Sequence, residues 1–426
     1  MKRFIDKSLV TFRSVSQKGF FHLLSANVLI QAVAFGSQLF VAAILAPDDI
    51  GRIKIIQTYL SIFSIVAGMG FNASTLKLCS ENRTENEQAS LFRSGLYFTL
   101  TTTILTYLLM LILNGLHLFS SDQLINNLIP LGLLPIITNS LFMMFVAYFQ
   151  ATKRIKLMSG LVGWNKLIAI VALLVFAYQW GIKGYYWAYN LSFIIMLLVC
   201  LKYSGDVFKN KVSFKFIFSD FKVHWKYAKL TTLCNVFSEI AAYADILIIG
   251  VFVKDMQQIG YYSFALTLTV IVRLLPGTVQ QVSIPYFSSQ SNDSIDFMPR
   301  FKYFNTILSA IVGVTLVLLL IIVPFAIQFV FGEKYMPAIP FFIPLVIGWS
   351  IRQLLQLQVS VIFGLGKVEY NLYTSIISLI FNVLIVSICL HYFGLIGAAY
   401  ASIPSGMVVV LCSFYYLRRL NREISN

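Results

Sequence analysis

Residues 303–330 read YFNTILSAIVGVTLVLLLIIVPFAIQFV, a run without a single charged side chain. Coiled at 1.5 Å per residue, a helix of this length reaches across a hydrocarbon layer of about 30 Å. Lipid offers no partner to a free N–H or C=O, so a spanning segment must satisfy its backbone internally. Barrel strands would alternate polar and apolar residues, and this run does not. It reads as a transmembrane helix and sets the pattern to seek elsewhere.

Similar stretches occur near 20–46, 53–72, 91–113, 128–150, 157–180, 184–201, 229–253, 261–286, 338–363, 370–392 and 395–416, which makes twelve with the first. The composition agrees, because 58% hydrophobic against 12% charged residues cannot wrap a chain of 426 residues in a water-soluble surface. The expected fold class is an all-α integral membrane protein of about twelve spans. The leader MKRFIDKSLVTFRSVSQK precedes an apolar stretch too long for a signal-peptide core and lacking a small-residue cleavage site, so span 1 is expected to be retained. Ile5, Leu9 and Phe12 recur at helical spacing beside Lys2, Arg3, Lys7 and Arg13, which suits a helix lying on the membrane surface.

Charge orients the spans. With the N-terminus inside, segments on that side hold 24 Lys and Arg, whereas the other side holds Arg52, Lys54, Lys183, Lys254 and Lys334. The positive-inside rule then predicts cytoplasmic termini and an even number of spans. The net charge of +15 is mostly topology and is not a nucleic-acid footprint. The basic and aromatic residues of KNKVSFKFIFSDFKVHWKYAK, residues 209–229, suit an interfacial helix on anionic lipid.

Three patterns recur at nearly constant separation. Ile50-Gly51-Arg52 pairs with Ile259-Gly260-Tyr261, an offset of 209. Phe149 to Lys153 pairs with Phe363 to Lys367, an offset of 214. Gly181-Ile182-Lys183-Gly184 with Ala188 pairs with Gly394-Leu395-Ile396-Gly397 with Ala401, an offset of 213, which is half the chain. Two six-span lobes that enter from the same side are related by an axis along the membrane normal, as in transporters built from parallel repeats. The expected division is a lobe over 1–201 with its interfacial helix, a basic linker over 202–228 and a second lobe over 229–426.

Charges inside the spans are costly and need protein or water around them. Lys166, Arg273 and Arg352 are the basic ones, and Glu239 and Asp245 in span 7 the acidic ones. Span 8 places Thr269, Arg273, Pro276 and Gln280 on one face, and span 10 places Arg352, Gln356 and Ser360 together. Asn27, Gln31 and Gln38 form a stripe on span 1, Gln57, Ser61, Ser64 and Gly68 on span 2, Asn371, Ser375, Ser378 and Asn382 on span 11. Asn235 and Ser238 share the arc of the span-7 acids. Such stripes either line a cavity or bind helices to one another. The arginines suit an anionic headgroup, since a guanidinium fork matches phosphate oxygens; the alternative is an internal ion pair with Glu239 or Asp245. Either acid could carry H⁺ or Na⁺.

No Walker loop is present, and the four histidines and five cysteines show no ligand spacing, so no catalytic residue, cofactor, metal or disulfide is expected.

APDDIGRIKIIQTYLSIFSIVAGMGFNASTLKL (46–78) resembles the first-loop and span-2 signature of the O-antigen and polysaccharide flippase family, within the multidrug/oligosaccharidyl-lipid/polysaccharide exporter superfamily. GYYSFALTLTVIVRLLPGTVQQVSIPYFS (260–288) resembles its span 8, FGEKYMPAIPFFIPLVIGW (331–349) its approach to span 10, and FGLIGAAYASIPS (393–405) its entrance to span 12. The resemblance implies two six-helix lobes in a V shape like that of multidrug exporters, alternately opening a cationic cavity to each side. It implies an undecaprenyl-pyrophosphate-linked oligosaccharide as cargo, with a polysaccharide polymerase and a chain-length regulator as partners and no enzymatic activity. A multidrug or organic-ion exporter of the same superfamily and a membrane-embedded glycan polymerase remain the alternatives.

Overall fold

Some helix starts fall where the sequence supplies a side-chain cap. The computed structural model describes residues 20–81, 83–208, 214–273, 276, 298–365 and 367–425; the leader helix expected before residue 20 lies outside them. Helix α1 covers Phe20–Ile44 and α2 covers Pro47–Gly68, with Pro47 in the first turn beside Asp48 and Asp49. After a break at Met69 and Gly70, both with positive φ, a short α3 runs Phe71–Cys79. Helix α4, Glu85–Gly115, starts on a capping box of Thr84 and Glu87, and α5, Gln123–Ala151, on the Asp122 carboxylate. Helix α6, Ile155–Tyr203, completes the first lobe.

The second lobe repeats this plan with α7, Phe214–Phe252, α8, Met256–Leu268, α9, Met298–Phe331, α10, Ile339–Gln353, α11, Leu355–Gly364, and α12, Val368–Ser425. Span 10 of the sequence is thus two helices, and α7 begins at Phe214. Among the described residues, seven helices are long and apolar enough to cross a membrane, and the longest contain more than one crossing. The chain is a multi-pass membrane protein.

The repeat is legible in the backbone. Helices α6 and α12 each break at one glycine, Gly181 with φ 58° and Gly394 with φ 65°, positions 213 residues apart. Eight residues along a straight helix span about 12 Å. A Cβ on Gly184 would nevertheless sit 1.8 Å from the Phe176 carbonyl oxygen, and one on Gly397 would sit 2.2 Å from that of Cys389. The chain therefore doubles back in both places with no intervening loop. The Arg154 N–H donates to the Phe149 carbonyl at 2.8 Å and the Lys367 N–H to that of Ile362 at 3.1 Å, the same five-residue closure at the same offset.

The buried side chains fall into three clusters. One joins both lobes at the end that carries Gly51, gathering Val41, Ile53 and Ile56 with Ile249, Tyr262, Phe264 and Phe342. At the opposite end the cores are separate: Phe92, Phe145 and Phe149 in the first lobe, Phe301, Leu357 and Leu417 in the second. The start of α7 sides with the first lobe, because Ala228 is buried in that cluster and His224 lies between Ser74 Oγ, 2.8 Å away, and the Leu91 carbonyl, 3.1 Å away.

Candidate functional site

Where the lobes meet, Gly51 and Gly260 lie against each other. A Cβ on Gly51 would be 3.0 Å from Gly260 N, and one on Gly260 would be 1.9 Å from the Pro47 carbonyl oxygen. Symmetry-related residues touch when they lie near the symmetry axis, so the first repeat pair marks that axis. Lys334 closes the same seam by donating to the carbonyls of Ala42 and Ala43 at 3.1 and 2.9 Å, the unfilled acceptors at the end of α1.

Below the seam lies a set of charges from both lobes. Lys54 belongs to it, which corrects the sequence assignment of this residue to an outer loop. Pro47 and the acids after it start α2 six residues before the apolar run, so Lys54 sits two turns inside the helix. It is half-buried, with Nζ 5.3 Å from the centre of the Tyr243 ring on α7 and within electrostatic range of Glu239, Asp245 and Arg273. One and two turns further along α2 are Gln57, which donates to the Tyr185 hydroxyl, and Ser61, bonded to Tyr243. A cavity of about 30 Å³ between the lobes is lined by Gln38, Lys54, Gln57, Ser263 and Thr267. Gln38 also donates to the Tyr189 hydroxyl at 3.3 Å.

The two arginines meet on one aromatic ring. The guanidinium carbons of Arg273 and Arg352 each lie 5.3 Å from the centre of Trp349, a cation–π geometry for both. Arg273 is exposed and Arg352 half-buried. Among the described residues, no ion pair within 4.0 Å joins either to Glu239 or Asp245. The acids diverge. Glu239 is half-buried and faces the charges of Arg273 and Lys54, whereas Asp245 is buried and lines a separate cavity of about 20 Å³ with Trp349, Arg352, Asn382 and Ser402. One Asp245 oxygen accepts from the Tyr262 hydroxyl at 2.7 Å; the other meets no hydrogen-bond donor among the described residues. Asn382 is held on both sides, donating to the Ala241 carbonyl at 2.7 Å and accepting from Ser405 at 2.8 Å.

Other expected residues stand apart. Lys166 is half-buried on α6 in the first lobe, and no hydrogen bond, ion pair or ring contact links it to the arginines among the described residues. Gln31 and Asn235 are exposed and Gln356 is half-buried one turn beyond Arg352. The Asn27 side chain and Gln280 lie outside the described residues. Sequence reasoning missed Lys54 and Trp349. Lys54, Gln57 and Ser61 at helical spacing, and Trp349 three residues before Arg352, were the available signals. Among the described residues, no three His, Cys, Asp or Glu side chains converge as a metal site.

A family model described as polysaccharide biosynthesis protein matches residues 40–340. The chain belongs to that family. The match takes in Lys54, Glu239, Asp245 and Arg273 and ends before Trp349 and Arg352. Among curated proteins, none matches the sequence. The fold of this chain is shared with solved transporters. A multidrug resistance MATE family transporter of the MOP superfamily in its inward-facing conformation superposes with TM-score 0.75 at 13% identity, over 93% of this chain and 95% of that one. Lipid II flippase MurJ, inward closed, gives 0.72 at 16% identity over 95% and 90%. An outward-facing MATE family transporter gives 0.69 at 14% identity over 96% of each chain. The two six-helix lobes related by a parallel repeat are therefore the MATE-like architecture expected from the sequence, and the fold is that of transporters and flippases.

Proposed function

We propose that this protein is a flippase carrying an undecaprenyl-pyrophosphate-linked oligosaccharide repeat unit from the cytoplasmic to the periplasmic leaflet of a bacterial inner membrane. The observation that carries it is the pair Arg273 and Arg352 on Trp349, two guanidinium forks with no carboxylate within ion-pair distance among the described residues. Unfilled donors in the interior of a membrane protein suit a diphosphate, whose oxygens accept in bidentate pairs. Lys54 adds a third positive charge from the other lobe. The glycan occupies the polar space between the lobes while the lipid tail stays in the bilayer.

The positive-inside imbalance puts both termini in the cytoplasm, and the fused Gly51 end at the periplasm. Residues 1–201 and 229–426 rock as the lobes, joined through 202–228, whose last turns sit on the first lobe through His224 and Ala228. Asp245, which lines a cavity and has one oxygen without a hydrogen-bond donor among the described residues, takes the coupling ion, H⁺ or Na⁺, and Glu239 balances the cationic cluster. A polymerase and a chain-length regulator act on the delivered unit.

The test is to analyse lipid-linked glycans in a strain lacking the gene. A complete repeat unit accumulating on the cytoplasmic leaflet is the expected result. Accumulation on the outer leaflet would indicate a polymerase, and loss of resistance to organic cations with normal glycans an exporter. The Arg273→Ala, Arg352→Ala double variant should insert normally and lose surface polysaccharide, while Lys replacements lose less. Wild-type polysaccharide in the double variant refutes the assignment. In vesicles, Asp245→Asn should remove the dependence of transport on an imposed ion gradient; persistence of that dependence would discharge Asp245 from the role.

A further inference from the structure

Arg273 and Arg352 lie close enough for their charges to repel, so something must offset that repulsion. They belong to separate parts of the chain, one beyond α8 and one in the last turn of α10. Among the described residues, no carboxylate pairs with either, and what they share is the Trp349 ring at 5.3 Å from each guanidinium carbon. The electron-rich π system of an indole attracts both without spending their N–H donors.

The ring is itself well held. The Trp349 carbonyl accepts from Gln353 Nε2 at 3.1 Å. The residue before it, Gly348, packs so tightly on α12 that a Cβ there would lie 2.5 Å from the Ser402 carbonyl carbon. Helix α10 is thus pinned to the second half of α12 at this level, and the indole, packed against the core and carrying few rotatable bonds, projects from a fixed backbone. Arginine side chains have several rotamers, and each one ordered in advance costs less on binding.

We propose that Trp349 is a positioning residue that sets the gap between the two guanidinium groups, and thereby makes the site select a diphosphate over a monophosphate. This rests on the anionic cargo proposed above. A single phosphate needs only one fork, and either arginine can supply it without the ring. A diphosphate engages both forks together and benefits from their fixed separation.

The measurement is calorimetric titration of the purified full-length protein with inorganic pyrophosphate and, separately, inorganic phosphate. The wild type should prefer pyrophosphate. Trp349→Leu should weaken pyrophosphate by about tenfold, the scale of a lost cation–π contact, and leave phosphate within about threefold. Trp349→Phe, which keeps an aromatic face, should recover most of the preference. If the Leu variant fails size exclusion, Trp349→Met serves in its place. Equal weakening of both ligands, an unchanged ratio, or a Phe variant that behaves like Leu would show a scaffold residue only and overturn the inference. Failure of the wild type to bind pyrophosphate would instead sink the cargo assignment, and this inference with it.

Discussion

The two ends of the molecule are built differently. At the Gly51 end both lobes contribute to one apolar core, backbone meets backbone at Gly51 and Gly260, and Lys334 bonds across the seam. At the opposite end each lobe keeps its own core, and α7 rests on the first lobe through Ala228 packed against Gly70 and through the polar side chains His224, Asp220 and Ser94. Close-packed backbone is intolerant of added volume, whereas a polar side-chain contact can be made and broken at modest cost. The first end holds a state; the second is suited to yield.

The largest effect should come from Gly260→Val, which pushes a side chain into the Pro47 carbonyl. Overpacking of about 1–3 kcal/mol at a seam the lobes share should abolish surface polysaccharide and lower the melting temperature. A functional Gly260→Val protein would mean that the lobes do not rely on this contact. Lys334→Ala comes next, removing two hydrogen bonds from a partly solvated ammonium, together about 1–2 kcal/mol. A single cysteine placed at Thr267, in the inter-lobe cavity, should then react faster with a membrane-impermeant thiol reagent; unchanged labelling would remove Lys334 as a latch. Asp220→Ala at the opposite end should do least. It deletes one bond, from Ser94 Oγ to a partly solvated carboxylate at 2.6 Å, about 1 kcal/mol, and transport should stay within about twofold. A loss as large as that of Gly260→Val would erase the contrast between the ends.

Much of this was readable in advance. The apolar runs announced the membrane class, and the glycine pairs announced the repeat, because a reversal without a loop needs positive φ where it turns. Arg273 and Arg352 stood out because charge in an apolar run is costly. Lys54 did not, because hydropathy marks where lipid begins and α2 starts earlier, at Pro47, inside the protein seam. Trp349 was hidden for another reason: an aromatic residue in an apolar helix looks like core, and only packing reveals two cations against its ring. Which end of the lobes is fused depends on contacts between residues about 200 apart, which no local pattern encodes.

The loopless reversals at Gly181 and Gly394 bear on how such a protein can be studied. An epitope tag or reporter fused within 182–184 or 395–397 would force apart helices whose backbones already touch, so it would report on a wrecked hairpin rather than on sidedness. Tags that map the topology belong in the longer connections, such as the one after Tyr203.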